Sequence, residues 1–262
     1  MSETSGLKLQ GKLALVTGAG RSEGIGIAIC KHFVDNGAKV AILDISTDVG
    51  KLVAKTFGND TQAKGYTCDV TQESEIKKTI PDICADFDQS INIAVFNAAF
   101  WKVIPAHQLT MGDFDVQTNI NLRAVFMGFK YCYEFCSNSL ESVIFISSVQ
   151  AFYGLPGHSA YAAAKAGLIG LANQLAGEYG PNIRVNTILP GPINTGLALH
   201  KRETKDSQQA YDMTVQATAL KRLGEPKEVA SVATFLASSD ASYITGSSLY
   251  VDGGWSILKS SA

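Results

Sequence analysis

The strongest constraint on this chain is a regular alternation of two hydrophobic patterns. Apolar runs of strand length recur at Leu13–Thr17, Val40–Asp44, Gly65–Cys68, Ile91–Phe96, Val143–Ser147, Arg184–Leu189 and Ser248–Val251. Their continuously apolar, β-branched character fits strands covered on both faces, as inside a parallel sheet. Between them, Ile25–Asn36, Asp48–Phe57, Glu73–Phe87, Phe114–Phe135, Tyr161–Glu178 and Lys227–Ala237 carry helical spacing. Parallel strands need long crossovers, and helices supply them. The predicted fold is α/β: one domain over residues 1–262, a doubly wound, Rossmann-like parallel sheet of about seven strands with helices on both faces. Only the stretch at about 190–218 interrupts the alternation. It is polar, with a charged run from Lys201 to Asp206, and reads as a lid-like insert or a solvated surface loop.

A sizeable core is available, because 46% of the residues are hydrophobic and only 18% are charged. A net charge of −2 argues against a nucleic-acid partner or an anionic membrane surface. Met1 to Gln10 is polar and lacks the apolar centre of a signal peptide, and no apolar run is long enough to span a bilayer. Cys30, Cys68, Cys84, Cys132 and Cys136 form no CxxC pair. Free thiols fit a reducing compartment, so a cytoplasmic location is expected. Cys132 and Cys136, four residues apart, are placed on one helix face as core residues. His32, His107, His158 and His200 are scattered, so no metal site is expected.

Two regions carry chemistry. The first strand runs into Thr17-Gly18, and Gly20, Gly24 and Gly26 follow before an apolar helix. Such glycines let the backbone approach a pyrophosphate, and a helix N-terminus offers free N–H groups and a positive dipole. The spacing is not GxGxxG: from Gly18 the third glycine position is Glu23, and from Gly24 it is Ile29. The second strand ends at Asp44, 20 residues after Gly24. A carboxylate there can accept both adenosine-ribose hydroxyls and repels a 2′-phosphate. Arg21 is the opposing feature, but the reading favours NAD over NADP. Asp69 and Val70 follow the third strand and could meet the adenine amino group and ring. Asn97-Ala98-Ala99 follows the fourth. Its small residues permit close approach, and Asn97 could pin neighbouring strands.

The second region is Tyr161-Ala162-Ala163-Ala164-Lys165, at the start of a helix. Residues four apart share a helix face, so the ammonium can lie beneath the phenol. A neighbouring cation favours phenolate, which makes the pair a tunable proton donor and acceptor. Ser148 ends the preceding strand, where ligands bind in open α/β sheets, and could bond the same substrate oxygen.

These residues taken together resemble the short-chain dehydrogenase/reductase family over nearly the whole chain. The resemblance rests on Thr17-Gly18 with Gly24-Ile25-Gly26, Asp69-Val70, Asn97-Ala98-Ala99, Asn121-Leu122, Ser148, Tyr161/Lys165, Pro190-Gly191 with Thr195, and Gly246…Val251-Asp252-Gly253-Gly254. It implies direct hydride transfer between a nicotinamide and a carbinol carbon, without a metal. Tyr161 would be general acid in reduction and base in oxidation. Ser148 would polarise the carbonyl, and Lys165 would bind the nicotinamide ribose and lower the Tyr161 pKa. Asn121, rather than Asn119, would hold a relay water. Pro190, Gly191, Ile193 and Thr195 would hold the nicotinamide end. Gly18, Arg21, Ser22, Gly24, Ile25 and Gly26 would face the pyrophosphate. Five residues, Ala19 to Glu23, stand where the family usually has three, and Ala99 replaces its usual glycine. A homotetramer is the implied assembly, with a dimer next.

Gln150, Tyr153, His158, Phe100, Trp101, Leu197, Leu199 and His200 suggest a mainly apolar pocket with a few polar handles. His158 reads as loop-stabilising before substrate-contacting. A secondary alcohol or ketone is the expected substrate. The alternatives are an NAD-using epimerase or dehydratase on the same fold, and a non-catalytic dinucleotide sensor. The first usually carries an extended substrate domain, which is not expected at a length of 262 residues. The second usually lacks the tyrosine or lysine, and both are present.

Overall fold

The computed structural model describes residues 7–58, 61–195 and 205–258. Its strands are β1 (Leu13–Thr17), β2 (Lys39–Asp44), β3 (Ala63–Thr67), β4 (Ile93–Phe96), β5 (Ser142–Ile146), β6 (Arg184–Pro190) and β7 (Ser248–Val251). They form one sheet in the order β3-β2-β1-β4-β5-β6-β7, every pair parallel. The helices are α1 (Ile25–Asp35), α2 (Val49–Phe57), α3 (Glu73–Phe87), α4 (Met111–Thr118), α5 (Ala124–Cys136), α6 (Ser159–Tyr179), α7 (Lys205–Gln216) and α8 (Pro226–Ala237). The seven predicted strands are all present, with ends shifted by up to two residues.

Side chains alternate across the sheet and divide the core in two. Leu13, Leu15, Ala94, Phe96, Val143 and Phe145 face a layer built on α3, α5 and α6. Ala14, Val16, Ile93, Val95, Ile144 and Ile146 face α1, α2 and α8. Helix α3 shows how pattern becomes packing. Its buried Ile76, Ile80, Ile83 and Phe87 recur at helical spacing, so one stripe faces the sheet and the rest stays in water. Helix α8 starts on Pro226, whose missing N–H costs nothing at a first turn, and the Glu228 carboxylate accepts the Glu225 N–H at 2.7 Å.

Two expectations are corrected. The predicted helix Phe114–Phe135 is not continuous: α4 and α5 are joined by a π-helical turn at Asn119–Arg123. The physical reason is Asn121. Its side-chain amide donates to the Gln117 carbonyl at 2.8 Å, taking the acceptor that a main-chain N–H four residues on would use. The insert at 190–218 is also not simply loop, since it contains α7. Leu197, Leu199 and His200, expected in a lid, lie outside the described residues.

The strand order sets the position of any site. From β1 the chain crosses first to one side, to β2 and β3, then to the other, to β4 and beyond. Connections leave the carboxyl ends of β1 and β4 in opposite directions, which opens a crevice there.

Candidate active site

The crevice is closed on its floor by one side chain. Asn97, just after β4, donates its amide to the carbonyls of Thr17 (3.1 Å) and Gly18 (2.8 Å). In return the Thr17 hydroxyl accepts the N–H groups of Asn97 (3.0 Å) and Ala98 (3.2 Å). The expected pinning role of Asn97 is therefore present.

Glycines in the first loop are required by contact. Gly18 has φ +67, and a Cβ there would lie 2.4 Å from the Ala98 Cα. A Cβ on Gly26 would meet the Asn97 amide at 2.7 Å and the Gly18 carbonyl at 2.8 Å. Gly24 caps α1 without a side-chain hydrogen bond, so the first-turn N–H groups have no side-chain cap. Ile25 begins the helix half-buried, while Arg21 and Ser22 are exposed on the lengthened loop. Gly20, whose contacts the sequence leaves undefined, packs on Asp44: a Cβ there would stand 2.3 Å from its Cγ. Asp44 accepts the N–H of Gly20 at 2.7 Å and of Ser46 at 3.0 Å, so its carboxylate shapes the loop as well as ending β2.

An apolar cleft opens beside this loop, lined by Thr17, Leu43, Val70, Ala98, Ile120 and Val125 among others. Val70 and Ala98 were expected here. Leu43 and Ile120 were not, although each immediately precedes a predicted site residue, Asp44 at the cofactor end and Asn121 at the reacting end. Asp69 commits one carboxylate oxygen to its own turn, accepting from the Thr71 N–H (2.9 Å) and hydroxyl (2.7 Å). Ala99 is exposed at the rim. The glycine contacts, the apolar cleft and the uncapped helix start fit a dinucleotide.

The reacting end lies beyond the carboxyl end of β5. The Ser148 hydroxyl accepts the Gln150 N–H at 3.1 Å and lies near enough to the Tyr161 phenol to draw its pKa down. The Lys165 ammonium donates to the Ile146 carbonyl at 2.8 Å and sits 5.5 Å from the Tyr161 ring centre. The Ser147 hydroxyl donates to the Lys165 carbonyl at 2.8 Å, fixing α6 to the strand end. Trp101 tilts against the other side of Tyr161, ring centres 6.0 Å apart. Asn121 is fully buried and clasps Phe100, accepting from its N–H and donating to its carbonyl. His158 contacts the Pro156 carbonyl at 3.0 Å, the loop-stabilising role expected of it.

Electrostatics correct one expectation. Lys165 was expected to lower the Tyr161 pKa, but in the protein alone burial dominates both groups. The Tyr161 ring is partly exposed while its hydroxyl lies deep, and burial pushes it up to about 12, with Ser148 pulling the other way. Burial brings Lys165 down to about 7, so it is only partly charged at neutral pH.

Beside this end, β6 meets the C-terminal segment. Pro190 ends β6, and the Gly191 N–H donates to Val251 at 3.0 Å. A Cβ on Gly191 would meet Asp252 at 2.6 Å. Ile193 bridges to Gly224, and the Thr195 N–H donates to the Ile193 carbonyl at 2.8 Å. Among the described residues, no group of three His, Cys, Asp or Glu could hold a metal, and no helix is long and apolar enough to cross a membrane.

A family model described as Enoyl-(Acyl carrier protein) reductase matches residues 18–256. The chain belongs to the short-chain dehydrogenase/reductase family. This short-chain dehydrogenase/reductase is 34% identical over 251 residues to the 3-oxoacyl-[acyl-carrier-protein] reductase FabG of Thermotoga maritima, covering 95% of this chain and 99% of that protein. It is 34% identical over 256 residues to the D-threitol dehydrogenase of Mycolicibacterium smegmatis, covering 95% of each. Among solved structures, the aldohexose dehydrogenase of Thermoplasma acidophilum superposes with a TM-score of 0.87 at 33% identity, covering 98% of each chain. The family comprises oxidoreductases that use nicotinamide dinucleotides.

Burial of Lys165 makes stability depend on pH. Its ordinary value is 10.5 and its folded value is about 7. Between these values the unfolded chain binds a proton that the folded chain does not, so this group makes stability rise with pH across that window. Below it the full penalty is present. Lys165→Met should remove that rise in denaturant midpoints measured from neutral to alkaline pH; an unchanged slope would refute it.

Proposed function

We propose that this protein is an NAD-dependent alcohol dehydrogenase or carbonyl reductase that interconverts a secondary alcohol and a ketone. The observation that carries this reading is the convergence of Ser148, Tyr161 and Lys165 beyond the end of β5, with the Lys165 ammonium 5.5 Å from the Tyr161 ring centre and bonded to the Ile146 carbonyl. When bound, the dinucleotide supplies or accepts the hydride.

The chain's own residues handle the proton. In reduction, Ser148 donates to the carbonyl oxygen and Tyr161 delivers its proton as that oxygen becomes an alkoxide. In oxidation, the Tyr161 oxygen takes the proton back. A phenol held near 12 is a suitable acid but a poor base, so oxidation needs positive charge beside it. Lys165 provides that charge when protonated, and its Ile146 contact fixes its height below the ring. Asn121 spends its side chain on Phe100 and Gln117, so a relay water behind Lys165 would be held by the main chain that the π-helical turn exposes. Gly18, Gly24, Ile25 and Gly26 line the pyrophosphate path, with Arg21 and Ser22 at its edge. Val70, Ala98 and one oxygen of Asp69 serve the adenine, and Asn97 and Ala99 the path between. Pro190, Gly191, Ile193 and Thr195 bound the nicotinamide.

Asp44 supports NAD over NADP, because a 2′-phosphate would meet its carboxylate, while Arg21 is exposed and free to move away. Exposed Phe126, Tyr133 and Phe135 on α5 support association with further copies, a homotetramer before a dimer. The five free cysteines are in keeping with a cytoplasmic location.

Gln150 narrows the substrate. Its Oε1 is buried without a hydrogen-bond partner, two residues beyond Ser148. A buried acceptor left unpaired costs about 1–3 kcal/mol, and a hydroxyl beside the reacting carbon would satisfy it. This favours a polyol or hydroxyketone, the compound class in the names of the threitol and aldohexose relatives.

Three outcomes are expected. Tyr161→Phe should bind NADH, seen by fluorescence, yet lose at least ~10²-fold in turnover; retained turnover would sink the assignment. Wild-type kcat/KM should be higher with NADH than with NADPH, and Asp44→Ala should narrow the gap; equal wild-type efficiencies would refute the preference. Gln150→Leu should cost on the order of tenfold more in kcat/KM on 2,3-butanediol than on 2-butanol; an equal loss on both would remove Gln150 from substrate recognition.

A further inference from the structure

Helices α3 and α5 lie side by side under the sheet, and together they wall the apolar cleft. Ile76 and Ile80 of α3 line it from one side, and Ala124, Val125 and Gly128 of α5 from the other. Each helix continues past the cleft to a cysteine. Cys84 is one turn beyond Ile80, and Cys136 is two turns beyond Gly128. Their sulfurs lie 3.6 Å apart. Cys136 is 2% exposed and sealed in the core, whereas Cys84 is half-buried and reachable from solvent. Cys132, one turn before Cys136, is fully buried. The sequence singled out Cys132 and Cys136 as a same-face pair; the sulfur contact instead joins Cys136 to a residue 52 positions earlier.

We propose that Cys84 and Cys136 are an oxidisable pair, which a peroxide converts to a disulfide that clamps α3 to α5 at the wall of the cleft. The geometry needs only a small approach, since a disulfide is about 2.05 Å long and the sulfurs are already in contact. The chemistry has an entry point and a resolving partner. The contact between the two thiols favours a thiolate on the more exposed Cys84, lowering its pKa, while Cys136 is pushed up. The Cys84 thiolate attacks one peroxide oxygen. The O–O bond breaks, and hydroxide leaves and is protonated to water. The sulfenic acid formed on Cys84 is then attacked by the Cys136 sulfur. The S–O bond breaks, the S–S bond forms, and the departing hydroxide takes the Cys136 proton as a second water. Two thiols are oxidised by two electrons, and one peroxide is reduced to two waters.

The bond would close a loop between residues 84 and 136 and so restrict the unfolded chain. It would also draw together the two helices that flank the cleft. The oxidised protein is therefore more stable and holds the dinucleotide less tightly, the latter resting on the nucleotide reading above.

The test treats the full chain with a modest molar excess of hydrogen peroxide, digests it without reduction and maps thiols by mass spectrometry. A Cys84–Cys136 cross-linked peptide, lighter by two hydrogens and restored by dithiothreitol, is expected. Tm should rise by several degrees in wild type but not in Cys84→Ser or Cys136→Ser. Cross-linking of Cys84 to Cys132, sulfinic acid at Cys84, or survival of both thiols overturns the pairing. NADH affinity, followed by fluorescence, should fall several-fold on oxidation. An unchanged affinity overturns the link to the cleft. Failure of NADH to bind either form would instead count against the nucleotide reading, leaving the cross-link itself decided by the peptide map.

Discussion

Everything at the sheet's carboxyl edge depends on how β1 and β4 are held together where their connections diverge. No helix crosses that point, and the first-turn end of α1 is left without a side-chain cap. The clasp between Thr17, Gly18, Asn97 and Ala98 closes the floor with four short hydrogen bonds, each satisfying a backbone group at the head of the split. Because Ala98 fills the space over Gly18 and the Asn97 amide that over Gly26, neither glycine can carry a side chain. The loop is thus shaped from below by packing and from the side by Asp44. Five residues between Gly18 and Gly24 are accommodated because Gly20 folds onto that carboxylate.

The same economy governs the reacting end. A lysine almost wholly out of water is held by a carbonyl rather than a carboxylate, so no counter-ion fixes its charge. Burial then depresses the ammonium and raises the phenol, so at neutral pH the phenol keeps its proton and the lysine is only partly charged. A site prepared in this way responds strongly to any charge brought beside it, because nearby water is scarce. Asn121 contributes by geometry. By taking the Gln117 carbonyl it forces the π-helical turn, and by clasping Phe100 it fixes the segment that leads to Trp101 and so to Tyr161.

Much of this was legible in the chain. The apolar runs identified all seven strands: the inner ones are almost wholly buried, and the half-buried edge strands β3 and β7 still carry aromatic and β-branched residues. Glycines at 18, 24 and 26, the Asp44 strand end, and Tyr161 with Lys165 after Ser148 were readable because their spacing is local and their side chains are rare at such positions. The break in the helix at Asn119–Arg123 was not legible. Its apolar periodicity continues, and nothing in that spacing shows that the Asn121 amide takes the Gln117 carbonyl. Helix α7 was obscured by its polarity, since it lacks the apolar stripe that announces a packed helix.

The sequence by itself determined the parallel sheet, its strand inventory and the family, because these rest on local pattern and on residue chemistry. The tertiary structure alone decided which distant groups meet. It set Gly20 on Asp44, Ile120 and Leu43 in one cleft, Gly191 against Asp252, and the Cys84 sulfur on Cys136. It also decided the protonation of Tyr161 and Lys165. A pKa in a folded protein is set by how much water the surrounding chain removes, and no spacing in a sequence measures that.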